Sequence, residues 1–296
     1  MSPSVTALPA HSVVSGTLWG VGVGPGDPEL LTLKAVRVLR AAPVIAYLAP
    51  LEGKGLARRI AAAVLEDGIA RTEIALRMRF TVDRHSAQAA YDHGAAAIAG
   101  HLVAGRDVAV LCEGDPLFFG SFAYIMARLE ARFPVEVIPG VGSLAACSAA
   151  LRQAFALLDD RAAVIPASRT ADEITATLAV VDAAAIIKVG RHLAKVAGVL
   201  ERLGLLERAW HVERASQPEA RVRPLTAVMA ETREAAAYFS MVLVYKGEKT
   251  CDVVKEDPSN SGGGAWPVGR EDGAAHCSGP ARGASARVQG AGAGGR

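Results

Sequence analysis

The chain has 296 residues, enough for two domains of ordinary size, and is 51% hydrophobic with 5% aromatics. Its 32 Lys and Arg are balanced by 30 Asp and Glu, and with no basic run it lacks the electrostatic footprint of a nucleic-acid binder. Four cysteines (Cys112, Cys147, Cys251 and Cys277) show no CxxC spacing and no pairing pattern, which argues against a disulfide scaffold and for a reducing, cytoplasmic setting.

Residues 1–26 contain no Lys, Arg, Asp or Glu, and Pro and Gly interrupt their apolar runs. A signal peptide needs a positive start and an unbroken apolar core, and a membrane helix needs ~18 apolar residues, so neither is expected. Residues 1–15 read as a flexible leader. From residue 16, strand and helix patterns alternate. "TLWGVGV" precedes a helix expected from Pro28 to Arg40, and "PVIAYL" precedes one from Lys54 to Glu66. "TEIAL" and a long helix from Ser86 to Ala104 follow. "DVAVLC" is apolar almost throughout, as a strand covered on both faces should be. Next come "EGDP", a helix opening on Pro116, the strand "VEVIP" and a helix opening at Ser143. This alternation implies right-handed crossovers and a mostly parallel sheet in a first domain, residues 16–155.

A second α/β domain is expected over residues 159–246, with "RQAFALLDD" leading into it. "AAVIPA", "AAIIKVG", "AWHVERA", "VRPLTAVM" and "YFSMVLVYK" read as its strands. The short links between the last three suggest antiparallel pairing, so this sheet should be mixed. Residues 247–296 hold twelve glycines, with six basic and six acidic residues that cancel. Such a segment cannot bury enough apolar surface to offset its ordering entropy, and it reads as a disordered tail.

Three turns carry the chemistry. "GVGVGPGDPELL" resembles a dinucleotide fingerprint, but the third glycine of GxGxxG falls on Pro25 or Asp27. Asp27 reads as an N-cap ahead of Pro28, with Glu29 in the first turn. Two carboxylates there repel a pyrophosphate, so the turn suits a neutral or cationic ligand, or is simply well capped with no ligand. "LCEGDPLFFG" repeats the pattern with Glu113, Gly114 and Asp115. "VIPGVGS" does so with Gly140, Gly142 and Ser143 as the expected N-cap. In a parallel sheet all three lie at the carboxyl edge of the strands, where ligands bind. A positively charged cofactor such as S-adenosylmethionine fits that edge.

Together "GVGVGPGDPELLTLKA", "CEGDPLFFGSF" and "VIPGVGSLAACSAA" resemble the tetrapyrrole methylases, S-adenosylmethionine-dependent enzymes acting on corrin precursors. Within them, the resemblance is to the branch that methylates the C20 meso carbon of precorrin-2 in cobalamin biosynthesis. It spans roughly residues 17–246. It implies a homodimer of chains with two α/β domains, of class III methyltransferase type, with the cofactor in the cleft between the domains. By motif it places Pro25, Glu113, Gly114, Asp115, Phe118, Gly142 and Ser143 at the cofactor, with backbone near Val189 and Ala215 from the second domain. It names no secure general base; Glu113 and Asp115 are weak candidates, with cofactor binding or capping as the alternative for each. Because the substrate is a polycarboxylate, Lys34, Arg77 and Arg79 are candidates for its contacts, although a solvated surface is the alternative reading.

His85, His93 and His101 are spaced by eight, which turns each ~80° from the last on a helix, so a solvated face rather than a metal site is expected. Cys112 and Cys147 read as small buried residues rather than reactive thiols. Rival functions are methylation at C11 or C17, C20 methylation of the cobalt-loaded substrate, a dinucleotide oxidoreductase, and a non-catalytic ligand sensor.

Overall fold

The computed structural model describes residues 15–78, 84–231, 236–237 and 239–246, without the side chains of residues 84–86. The expected leader and the Gly-rich tail lie almost wholly outside this range, as does Arg79.

The first half forms β1 (Leu18–Gly22), α1 (Leu33–Ala41), β2 (Val44–Ala49), α2 (Leu56–Ile60), α3 (Ala62–Leu65), β3 (Thr72–Arg77), α4 (Arg84–Val103), β4 (Val108–Cys112), α5 (Phe122–Leu129) and β5 (Val135–Ile138). Its five strands make one parallel sheet in the order β3-β2-β4-β1-β5. Every residue of β4 is buried, as a central strand covered by helices on both faces requires. Val21, Leu39, Ile45, Ile60 and Leu111 pack on one face, beneath α1–α3. Leu18, Val110, Tyr91, Ile98, Phe122 and Ile125 pack on the other, beneath α4 and α5.

The second half comprises α6 (Ser143–Leu151), β6 (Ala162–Pro166), α7 (Ala171–Val180), β7 (Ala183–Ile187), α8 (Leu193–Arg202), β8 (Ala209–Glu213), β9 (Arg221–Pro224), α9 (Leu225–Glu231) and β10 (Ser240–Tyr245). Its sheet, β6-β7-β10-β8-β9, pairs β6 with β7 in parallel and is antiparallel elsewhere. The fold is thus two α/β domains, one sheet parallel and the other mixed. Helix α6 leaves β5 of the first sheet yet buries Ala146 and Cys147 against Val212, Met241 and Leu243 of the second.

Four local expectations are corrected. The first helix does not open at Pro28: Asp27 caps a single 3-10 turn over Pro28–Leu30, accepting from Glu29 N at 2.9 Å. Thr32 then caps α1, accepting from Ala35 N at 3.2 Å. "VRPLTAVM" is a strand only to Pro224, because Leu225 and Val228 share a buried helical face beyond it. The N-cap of α6 is Gly142, in extended conformation and accepting from Ala146 N at 3.2 Å, so Ser143 is the first helical residue and is exposed. Pro116 starts no helix either; the reason lies in the site.

The His spacing also resolves unevenly. His93 is exposed, His101 is partly buried with an unpartnered Nδ1, and the His85 side chain lies outside the described residues. Among the described residues no helix is long and apolar enough to cross a membrane.

Candidate active site

Strands β4, β1 and β5 are adjacent and parallel, so the turns leaving them stand side by side. The first two are joined by a backbone pair: Gly114 N donates to Gly24 O at 2.8 Å, and Gly24 N donates to Gly114 O at 3.3 Å. The third turn packs onto both. A Cβ on Gly140 would lie 2.0 Å from Gly114 O and 2.9 Å from Gly22 Cα. Only glycine allows that approach of main chain to main chain.

Asp115 stitches the assembly. Its Oδ1 accepts from Leu117 N and Phe118 N, both at 2.9 Å, and its Oδ2 accepts from Gly140 N at 3.1 Å. Those two captured amides turn the chain sharply after Pro116, and Gly120 fits so closely that its Cβ would lie 2.2 Å from Pro116 O. The helix is therefore delayed to Phe122. Burial pushes the Asp115 carboxyl upward, but the Leu117, Phe118 and Gly140 amides outweigh it and hold the group below the usual carboxylate range.

Glu113 is different. It is partly buried, and its Oε1 accepts from Ala57 N, in the first turn of α2, at 3.2 Å. Burial raises its pKa above the ordinary value, against its own backbone amide, the Ala57 amide and the Arg59 charge. Preceding it, Cys112 ends the buried strand, and burial pushes its thiol up to about 12; burial does the same to Cys147. Both are inert core residues.

The second domain closes on the first turn. Gln217 Nε2 donates to Pro25 O at 3.3 Å, and Asp27 N donates to Ser216 Oγ at 3.2 Å. Gly26 leaves room for this contact, since its Cβ would lie 2.3 Å from Gln217 Cγ. Ala215, beside Ser216, is buried, and so is Val189. Next to Val189, the exposed Lys188 sets its Nζ 5.5 Å from the Phe119 ring centroid.

Pro25, Glu113, Gly114, Asp115 and Phe118 thus lie on the joined first and second turns, with Gly142 and Ser143 at the start of α6 beside them; Val189 and Ala215 adjoin Lys188 and Ser216, which reach Phe119 and Asp27. The substrate candidates behave otherwise. Arg77 Nη1 donates to the carbonyls of Pro50, Leu51 and Gly53 at 3.1, 3.0 and 3.2 Å, clamping the loop after β2. Lys34 is exposed on α1. Sequence reasoning did not single out Gln217, Ser216, Lys188 or Phe119, although the resemblance pointed to backbone beside two of them, at Val189 and Ala215.

The turns fit a cationic ligand. Residues 22–27, 113–118 and 139–143 contain Asp27, Glu113 and Asp115 but no Lys or Arg. Among the described residues, apart from Gly142 itself and its two chain neighbours, none comes within 4 Å of where a Gly142 Cβ would stand, so space opens before the third turn. The ring of acidic, glycine-built turns on a parallel sheet, closed by a mixed second domain, defines a class. The chain belongs to the tetrapyrrole (corrin/porphyrin) methylases, whose family model matches residues 17–229.

Among its relatives, precorrin-2 C(20)-methyltransferase from Sinorhizobium sp is 40% identical over 235 residues, covering 77% of this chain and 95% of the relative. Cobalt-precorrin-2 C(20)-methyltransferase from Salmonella typhimurium is 29% identical over 236 residues, covering 79% and 98%. Among solved structures, uroporphyrin-III C-methyl transferase from Thermus thermophilus, complexed with S-adenyl homocysteine, is similar with a TM-score of 0.57 and 26% identity, covering 78% of this chain and 92% of that one.

Proposed function

We propose that the protein transfers a methyl group from S-adenosylmethionine to the C20 meso carbon of precorrin-2, giving precorrin-3A in cobalamin biosynthesis. The observation that carries this reading is the 40% identity to the Sinorhizobium enzyme over 95% of its length. The lower identity, 29%, to the cobalt-precorrin-2 enzyme favours the metal-free substrate.

When bound, the cofactor supplies an electrophilic methyl on a sulfonium; C20 takes it with its enamine-like electron pair, sulfur keeps the bonding pair, and C20 gives up its proton. The chain's part is chiefly placement, which is worth up to ~7–11 kcal/mol in intramolecular models. Pro25, Gly114, Phe118, Gly142 and Ser143 line the cofactor side, with the backbone at Val189 and Ala215 opposite. Asp115 holds the second and third turns in register through its amide bonds. With both oxygens so engaged and its pKa lowered, Asp115 is a poor proton acceptor. Glu113, whose pKa stays raised despite its own amide and that of Ala57, is the better base.

The enzyme is assigned to the cytoplasm, consistent with the free Cys112 and Cys147, and to a homodimer, as the family resemblance implies. The domain limits read from the sequence are residues 16–155 and 159–246; α6 falls within the first span although it packs on the second sheet.

The test is mass spectrometry of the tetrapyrrole after anaerobic incubation with S-adenosylmethionine, using precorrin-2 and its cobalt form separately. One methyl added to precorrin-2 and placed on C20 by NMR is expected. No methylation of precorrin-2 overturns the assignment.

A further inference from the structure

Three consecutive apolar residues of the second turn stand in the open: Leu117 is 47% exposed, Phe118 53% and Phe119 48%. Other exposed apolar side chains of this domain, such as Leu33, Leu51 and Ile69, are scattered singly, whereas these three are contiguous, the arrangement that marks a contact surface. It is also rigid. Asp115 holds the amides of Leu117 and Phe118, and the Phe118 and Phe119 rings meet edge to face at 5.1 Å.

Opposite stands the loop after β7, which carries Lys188. Phe119 has φ +57° and Lys188 has φ +58°, both in the left-handed region that side chains disfavour. Such conformations persist where the surroundings dictate them, and they cluster at ligand sites. The contact joining the two residues, a cation 5.5 Å from a ring, is weak at an exposed site and does not account for strain on both sides. Lys188 forms no ion pair with a described residue.

We propose that Phe119 and Lys188 form a substrate-binding lip spanning the two domains, the Phe119 ring covering an apolar face of the tetrapyrrole and Lys188 pairing with one of its carboxylate arms. This rests on the substrate reading above. A flat macrocycle edged with carboxylates presents the apolar face and the anion that this pair of loops is built to meet. Phe118, in contact with Phe119, links the lip to the turns assigned to the cofactor.

The test uses Lys188→Ala, Lys188→Arg and Phe119→Gly in the full chain; glycine keeps the left-handed backbone without a steric penalty. The probe is uroporphyrin III, an octacarboxylate macrocycle read by its own absorbance, with S-adenosylhomocysteine binding as the control. Lys188→Ala and Phe119→Gly should each weaken uroporphyrin III binding about tenfold and raise KM for precorrin-2 in parallel. Lys188→Arg should recover most of the loss, and kcat and S-adenosylhomocysteine affinity should stay within about twofold of wild type.

Wild-type affinity for the probe in both Lys188→Ala and Phe119→Gly, or no probe binding by the wild-type protein, overturns the lip. Equal loss of S-adenosylhomocysteine affinity assigns the pair to folding and overturns it too. If the variants lose the probe while the wild-type protein leaves precorrin-2 unmethylated, the lip stands and the C20 reading falls.

Discussion

Replacing Gly142 by Ala separates a binding role for the third turn from a structural one. Gly142 has φ −74° and ψ 153°, which any residue adopts, and no described residue beyond its two chain neighbours lies within 4 Å of the added methyl. The loss of chain entropy in the unfolded state and the poorer capping by Ala oppose each other, leaving stability within about 1 kcal/mol of wild type. A ligand seated against the turn would meet that methyl, and overpacking costs about 1–3 kcal/mol, or about 5- to 150-fold in affinity.

Gly140→Ala is the contrast. Its methyl would sit 2.0 Å from Gly114 O, where ordinary contact needs ~3.5 Å, so the turns must part by about 1.5 Å. With the overpacking and the strained Gly24–Gly114 pair counted together, a loss of about 2–5 kcal/mol is expected. Urea unfolding and titration calorimetry with S-adenosylhomocysteine measure both variants. Gly140→Ala should lose stability and binding together, whereas Gly142→Ala should lose binding alone. Wild-type S-adenosylhomocysteine affinity in Gly142→Ala would refute the placement of the cofactor at the third turn.

Asp115→Ala should cost about 2–4 kcal/mol, because it strips the acceptor from three amides. As the folded pKa is lowered, the part of that contribution linked to ionisation is present above the ordinary carboxylate value and is lost as pH falls through the folded one, so the gap between the urea midpoints of variant and wild type should narrow below about pH 4. Glu113→Gln should melt no lower than wild type at neutral pH, since an ionised carboxylate with a raised pKa is a burden that the amide removes; its methyl-transfer kcat should fall if Glu113 takes the proton.

His211 is 1% exposed with neither ring nitrogen hydrogen-bonded. Burial lowers its pKa, Arg223 adds to this, and the Glu213 carboxylate at 3.8 Å opposes. Below about pH 6.5 the unfolded chain takes a proton that the folded one refuses, so stability should decline toward the folded pKa by at most about 1.4 kcal/mol per pH unit. In His211→Leu the slope, followed by urea unfolding, should be smaller than in wild type, what is left including His101 and His192, whose pKa values burial also lowers.

The strands were legible because apolar runs such as "DVAVLC" have no other home than a covered sheet, and short links between the last strands foretold their antiparallel pairing. The helix start at Ser143 was legible too, but those at the two prolines were not. At Pro28 and Pro116 the proline rule pointed to a first helical position, but the preceding aspartates capture nearby amides into short turns instead. "PLTAVM" carried a helical spacing, Leu225 to Val228, that a strand-like composition masked.

At the site, the glycines and acids showed themselves as motifs, since backbone crowding leaves a trace in residue type. The partners of those turns left none. Ser216 and Gln217 reach the first turn, and Lys188 reaches Phe119, only because loops of the two domains meet there, and no local pattern encodes that. Arg77 illustrates the converse: its residue type suggested a substrate contact, while three loop carbonyls already engage one of its nitrogens.

Helix α6 gives the third turn a mechanical position. At its near end the turn is pinned to the first domain through Gly140 and Asp115; at its far end it continues into a helix rooted in the second sheet through Ala146 and Cys147. Gly140, Val141 and Gly142 are therefore the short span along which the chain passes from one sheet to the other, and a molecule resting on that span would lean on both halves at once.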